Sequence, residues 1–141
     1  MRKKQPTERD FQRAVIAAYN GVISQIDAGV GTTVGFPDTV ALTDWGWLPL
    51  ELKVGTITEG VLWCSDVRAS QIRWHDRANS EGGVTAFLVG AWFGDRWRVF
   101  LINSTIIEQY DTTGFKLEQE TIELDMQNLY TTMSIALEDF Q

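Results

Sequence analysis

One cysteine and one histidine stand in a chain of 141 residues. Cys64 alone cannot form an internal disulfide, which fits a reducing cytosol and a cytoplasmic location. With only His75 to join it, a structural zinc site is excluded, and neither a Ser-His-Asp nor a Cys-His centre can be argued. No run of about 18 apolar residues occurs, so neither a transmembrane helix nor a membrane partner is expected. The start, Met1-Arg2-Lys3-Lys4-Gln5-Pro6, is basic but lacks the apolar stretch of a signal peptide. Bases are missing from the C-terminal end. Residues 117–141 carry six acids and no Lys or Arg, whereas residues 1–116 hold twelve cations against thirteen acids. The net charge of −7 therefore belongs mainly to the end of the chain. It weighs against tight non-specific nucleic-acid binding, but a near-neutral body leaves cations free for a local patch.

What is present suits one folded domain. Hydrophobic residues make up 44% and aromatics 11%, enough for a proper core at this length. A single domain over 1–141 is expected, with a core of about 7–103 and an acidic extension over 104–141. Residues 7–20 predict a helix, with Thr7 as N-cap, Glu8 and Asp10 in its first turn, and Phe11, Val15, Ala18 and Tyr19 as its apolar stripe. A short strand is expected around Val22–Asp27. The glycines of Gly29-Val30-Gly31-Thr32-Thr33 match no phosphate-binding motif and read as a flexible turn. Residues 55–64 read as a loop or short extended piece. A helix over Val67–Ser80 ends at Glu81-Gly82-Gly83. The run Val84–Gly90 suits a buried central strand, followed by a hairpin through Gly94-Asp95. Ser104 is expected to cap a short helix, residues 111–124 stay open, and Asp125–Phe140 predicts a last helix. The resulting fold class is α/β, with an α-β-β-β-α-β core around a mixed sheet plus a C-terminal hairpin and helix.

The chemistry concentrates in Gly35-Phe36-Pro37-Asp38 and, thirteen residues after Asp38, Glu51-Leu52-Lys53. Leu48, Leu50, Leu52 and Val54 alternate with Pro49, Glu51, Lys53 and Gly55, so Glu51 and Lys53 share one face of a strand. Gly35–Thr43 reads as a second strand, with Pro37 at its start. A turn through Asp44-Trp45-Gly46 would bring Asp38 and Glu51 side by side. Two carboxylates and a lysine can hold Mg²⁺ (or Mn²⁺), offset phosphate charge and help activate water. That set points to a metal-dependent endonuclease acting on DNA. The plainer alternative is a surface strand carrying a solvated Glu51–Lys53 pair.

These residues resemble the PD-(D/E)xK nuclease superfamily, whose motif would here be Pro37-Asp38 and Glu51-Leu52-Lys53. The helix Arg68-Ala69-Ser70-Gln71-Ile72-Arg73-Trp74-His75, with Gly82-Gly83 and the strand Val84–Val89, is similar to Holliday-junction-resolvase members, RecU-like or phage-encoded. The resemblance covers residues 8 to about 103. It implies Mg²⁺-dependent phosphodiester hydrolysis, branched DNA as substrate, a homodimer and, for a phage protein, the host cytoplasm. It also implies Asp38, Glu51 and the Leu52 main-chain carbonyl as metal ligands, and Lys53 and Gln71 as catalytic partners. Glu8 is either a further ligand or a plain first-turn acid. Arg68, Arg73, Arg77, Arg2, Lys3 and Lys4 are the phosphate-contact candidates. His75 reads as a partly buried helix residue, and Trp45 and Trp47 as residues near the site that would stack on an unpaired base. Repair, flap or restriction-like nucleases are rival enzymes; the rival of another class is a non-catalytic binding module on the same fold.

Overall fold

A computed structural model of the chain describes residues 5–26 and 35–141. Helix α1 spans Glu8–Ala18 and opens on a reciprocal cap: Thr7 Oγ1 accepts from the Asp10 N–H, and Asp10 accepts from the Thr7 N–H. Such a cap is worth about 1 kcal/mol. Strands β1 (Ile23–Gln25), β2 (Thr39–Thr43) and β3 (Gly46–Thr58) follow in antiparallel succession. Next come β4 (Val61–Cys64), α2 (Ala69–Ser80), β5 (Ala86–Trp92) and β6 (Trp97–Asn103). β5 lies parallel to β3, and β6 returns antiparallel through the expected hairpin. The chain closes with β7 (Phe115–Lys116), β8 (Ile122–Leu124) and α3 (Leu129–Ala136). The path through the mixed sheet is β1-β2-β3-β5-β6-β8, with β4 on β3 and β7 on β4.

Both faces of the sheet are covered. Leu48, Leu50 and Leu52 join Leu88, Leu101, Phe11 and Val15 in one core, which α3 also seals through Leu129 and Met133. Phe11 is fully buried, worth roughly 1.5–3 kcal/mol. The opposite face packs Phe87, Val89, Phe100 and Ile102 against Val67 and Ile107, with Ile72 of α2 alongside. Glu51 and Lys53 alternate onto this second face, in register with Phe87 and Val89. A solvated pair is thus ruled out: Glu51 is 2% and Lys53 4% exposed.

Several boundaries differ from expectation. Residues 55–58 continue β3, and a turn at Glu59–Gly60 sends the chain back as β4, so of the loop or short extended piece expected over 55–64 the extended form is present, as two paired strands. The strand expected from Gly35 begins only at Thr39, because Pro37 cannot donate to a ladder. Asn103, not Ser104, caps the 3-10 helix Ser104–Asp111, accepting from the Thr105 N–H. The single last helix is broken into 3-10 turns, Met126–Asn128 and Leu137–Phe140, on either side of α3. Local side-chain bonds compete there: Asp125 accepts from the Gln127 N–H, and Thr132 donates to the Asn128 carbonyl. The expected Gly29–Thr33 turn lies outside the described residues.

Candidate active site

Strand β3 has two edges, and β5 occupies one of them from Leu50 to Gly55. On the other edge β2 pairs with residues 46–50, and β4 takes up only from Gly55. Among the described residues, no strand therefore faces residues 51–54 on that side. The stretch left open is Glu51-Leu52-Lys53-Val54, and Asp38 enters β2 at its end. Continuing the β2–β3 register, in which Thr39 pairs with Leu50, sets Asp38 opposite Glu51.

The approach to Asp38 needs a glycine. Gly35 has φ +86, and a Cβ there would lie 2.1 Å from the Ser70 carbonyl oxygen. The chain thus runs tight against the start of α2, where the rings of Phe36 and Trp74 meet edge-on at 5.0 Å. Asp38 is then held on both oxygens. Gln12 Nε2 of α1 donates to Oδ2 at 2.9 Å, and Thr39 Oγ1 donates to Oδ1 at 3.1 Å. The Leu52 main-chain N–H, on the open edge beside this carboxylate, also lowers its pKa. A strand residue turns its N–H and C=O to the same edge, so the Leu52 carbonyl faces the open stretch too.

Glu51 is clamped from α2. Gln71 Nε2 donates to its Oε1 at 2.8 Å, and the Arg68 N–H donates to Gln71 Oε1 at 2.9 Å. That main-chain bond fixes which way the amide points. Lys53 Nζ donates to the Asp66 carbonyl at 2.9 Å, from a loop where Asp66 has φ +60. Burial, then the charge on Asp38, pushes the Glu51 carboxyl up to about 8, while Lys53 pulls it back. Burial likewise raises Asp38, and Thr39 and Lys53 oppose it. Glu8 is raised by burial, lowered by Lys53 and raised again by Asp38, so it belongs to the same electrostatic neighbourhood.

Among the described residues, no group of three or more His, Cys, Asp or Glu side chains comes together to hold an ion. Mg²⁺ asks for less than that: one or two carboxylates, with water and phosphate oxygens completing the shell. Asp38, Glu51 and the Leu52 carbonyl form an all-oxygen set of that kind. Their repulsion in a shielded place is what a divalent cation would relieve.

No family model matches the sequence, and no curated protein matches it. Among solved structures the chain is similar to Hjc, a Holliday junction resolvase from the archaeal hyperthermophile Archaeoglobus fulgidus. The identity is 15%, the match covers 92% of this chain and 95% of that one, and the TM-score is 0.45.

Asp38, Glu51, Lys53 and Gln71 are brought together; other expected residues are not. Arg68 lies within electrostatic reach of Glu51 and Glu8. Arg73 and Arg77 are exposed, and their spacing sets them on the side of α2 away from Gln71 and His75. Arg77 instead meets Glu81 at 3.6 Å, a solvated pair of little worth. Arg2, Lys3 and Lys4 lie outside the described residues. Trp45 and Trp47 sit at the far end of the β2–β3 hairpin: Trp45 is in its turn, and Trp47 pairs with Leu42, four residues or roughly 13 Å along the strand from Asp38. Trp45 is anchored there, its Nε1 donating to the Ser134 carbonyl at 2.9 Å. Neither tryptophan borders the site.

Sequence reasoning missed Gln12, Thr39, Arg9 and Arg13. Glu8 and Gln12, like Arg9 and Arg13, are four apart on α1, a helical spacing that was available to be read. All four, with Gln25, line a cleft of about 350 Å³ next to Asp38. His75 is buried, as expected, but completely so, and its Nε2 lies 3.9 Å from Glu51 Oε2.

Proposed function

We propose that this protein is a metal-dependent DNA endonuclease of the PD-(D/E)xK kind, cutting branched DNA in the manner of a junction resolvase. The observation that carries the reading is the gathering of Asp38, Glu51 and Lys53 at a stretch of the β3 edge that no strand among the described residues covers. Asp38, Glu51 and the Leu52 carbonyl would hold Mg²⁺, which when bound supplies charge stabilisation and an acidified water. Asp38 and Glu51 would offer oxygens in fixed positions, ionised as the ion binds, Gln12 and Thr39 orienting one and Gln71 the other. Lys53 brings a cation to the developing charge of the phosphate. The choice of branched DNA follows the resemblance of α2 and β5 to resolvase-like members. A two-fold dimer would set two sites against opposing strands of a four-way junction.

Calorimetric titration with Mn²⁺ tests the metal site. Binding is expected in the wild type and is expected to vanish in Asp38→Asn. Equal binding in both would move the ion elsewhere.

The DNA track is expected to follow α1 rather than the outer side of α2. Arg9→Ala with Arg13→Ala should weaken junction binding and flatten the slope of log affinity against log salt by about 2. Arg73→Ala with Arg77→Ala should leave both nearly unchanged. The opposite ranking would place the DNA across the outer face of α2.

A further inference from the structure

Beneath Glu51 runs a chain of buried polar groups that the proposed reaction does not use. His75 Nδ1 lies 2.6 Å from Thr85 Oγ1, and Thr85 Oγ1 lies 2.6 Å from Ser104 Oγ. Asn79 Nδ2 donates to Ser104 Oγ at 3.0 Å. His75, Thr85 and Ser104 are at most 2% exposed. Only two buried side-chain polar atoms among the described residues lack a hydrogen-bond partner, and they are His75 Nε2 and Glu51 Oε2, which face each other at 3.9 Å.

The direction of the chain can be followed from its far end. Asn79 reaches Ser104 more closely with its amide nitrogen (3.0 Å) than Ser104 reaches its amide oxygen (3.4 Å). Ser104 therefore accepts from Asn79, and its own proton is free for Thr85. Thr85 in turn has its proton for His75 Nδ1. A neutral imidazole that accepts at Nδ1 carries its proton on Nε2, the nitrogen 3.9 Å from Glu51 Oε2.

We infer that His75 is a positioning residue of the site: Asn79, Ser104 and Thr85 anchor its ring with Nδ1 as acceptor, so that the Nε2–H lies 3.9 Å from Glu51 Oε2 as an electrostatic partner, while Gln71 bonds Oε1. Gln71 and His75 are four apart on α2, so one helical face presents both donors. The same helix thus fixes the direction in which the carboxylate points. Loss of a partner that orients a ligand from outside the coordination shell typically changes metal affinity 10- to 100-fold. The consequence for metal binding rests on the proposed metal-holding role of Glu51; the proton position does not.

The chain contains a single histidine, so its ring ¹⁵N shifts are read without ambiguity. They are to be recorded on the full-length protein with saturating Mg²⁺ and, free of metal, well above the Glu51 value of about 8. The Nε2–H form is expected under both conditions. In Thr85→Val, which keeps the shape and removes the hydroxyl, Nδ1 loses its partner while Nε2 still faces Glu51, so the tautomer should hold while the ring loses its anchor and Mn²⁺ affinity falls about tenfold. Thr85→Ser should restore the affinity. An Nδ1–H form in the wild type overturns the inference, and so does a Thr85→Val protein with wild-type affinity. An Nε2–H wild type that binds no Mn²⁺ supports the hydrogen-bond chain and overturns the metal-holding role instead.

Discussion

Glu51→Gln and Asp38→Asn are each expected to reduce DNA cleavage by about a thousandfold or more while the protein stays folded. Both changes keep the size of the side chain and remove its charge. Gln71 can still donate to the carbonyl oxygen of a Gln at position 51, so the packing against α2 survives. What is lost is the negative oxygen that a hard cation requires. The two variants should be equally inactive, because the carboxylates act as one unit across the open edge of β3. Circular dichroism and a single-turnover cleavage assay, run on the same preparations, separate loss of chemistry from loss of fold. Full activity in either variant would remove that carboxylate from the site.

The same carboxylate is expected to weaken the metal-free protein as pH rises. Burial and the charge on Asp38 hold the Glu51 carboxyl at about 8 in the folded state, against an ordinary value of 4.5. The folded state therefore binds this proton more tightly than the unfolded chain does. Its contribution is full below about pH 4.5 and is lost as pH climbs through about 8. The loss is on the order of a few kcal/mol. His75, which burial holds down to about 4 from 6.5, costs stability in the opposite direction, as pH falls below 6.5. The Glu51 effect is thus cleanest between 6.5 and 8. Urea midpoints in EDTA should fall across that range for the wild type and stay flatter for Glu51→Gln, which should be the more stable of the two at its upper end. Mg²⁺ should restore the wild type and leave the variant unchanged, since metal binding requires the ionised carboxylate. Identical profiles in EDTA would mean that Glu51 is ionised without penalty.

The alternation of Leu48 to Gly55 was legible because a period of two is hard to mistake. So were the helix caps at Thr7 and at Gly82-Gly83, and the turn that sets Asp38 opposite Glu51. The length of β3 was not. Residues 55–64 read as a loop or short extended piece, yet the missing side chain of Gly55 admits β4, since a Cβ there would lie 2.3 Å from the Trp63 carbonyl oxygen. The burial of Glu51 and Lys53 was also hidden, because alternation assigns a face and says nothing of what covers it. α2 covers that face, a long-range packing fact. Arg73 and Arg77 were drawn to the site by charge alone; helical spacing from Gln71 already turns them away. Gln12 carried no motif, and only the placement of α1 beside Asp38 gives it a role.

The most direct test is cleavage of a labelled four-way junction, a flap and a linear duplex of matched sequence, each with Mg²⁺ and with EDTA, and with Glu51→Gln as control. Paired, symmetric cuts in the junction, lost with EDTA and with the substitution, are the expected result. A folded wild-type protein that cuts none of the three in Mg²⁺ or Mn²⁺ would contradict the nuclease reading and leave a binding module on this fold.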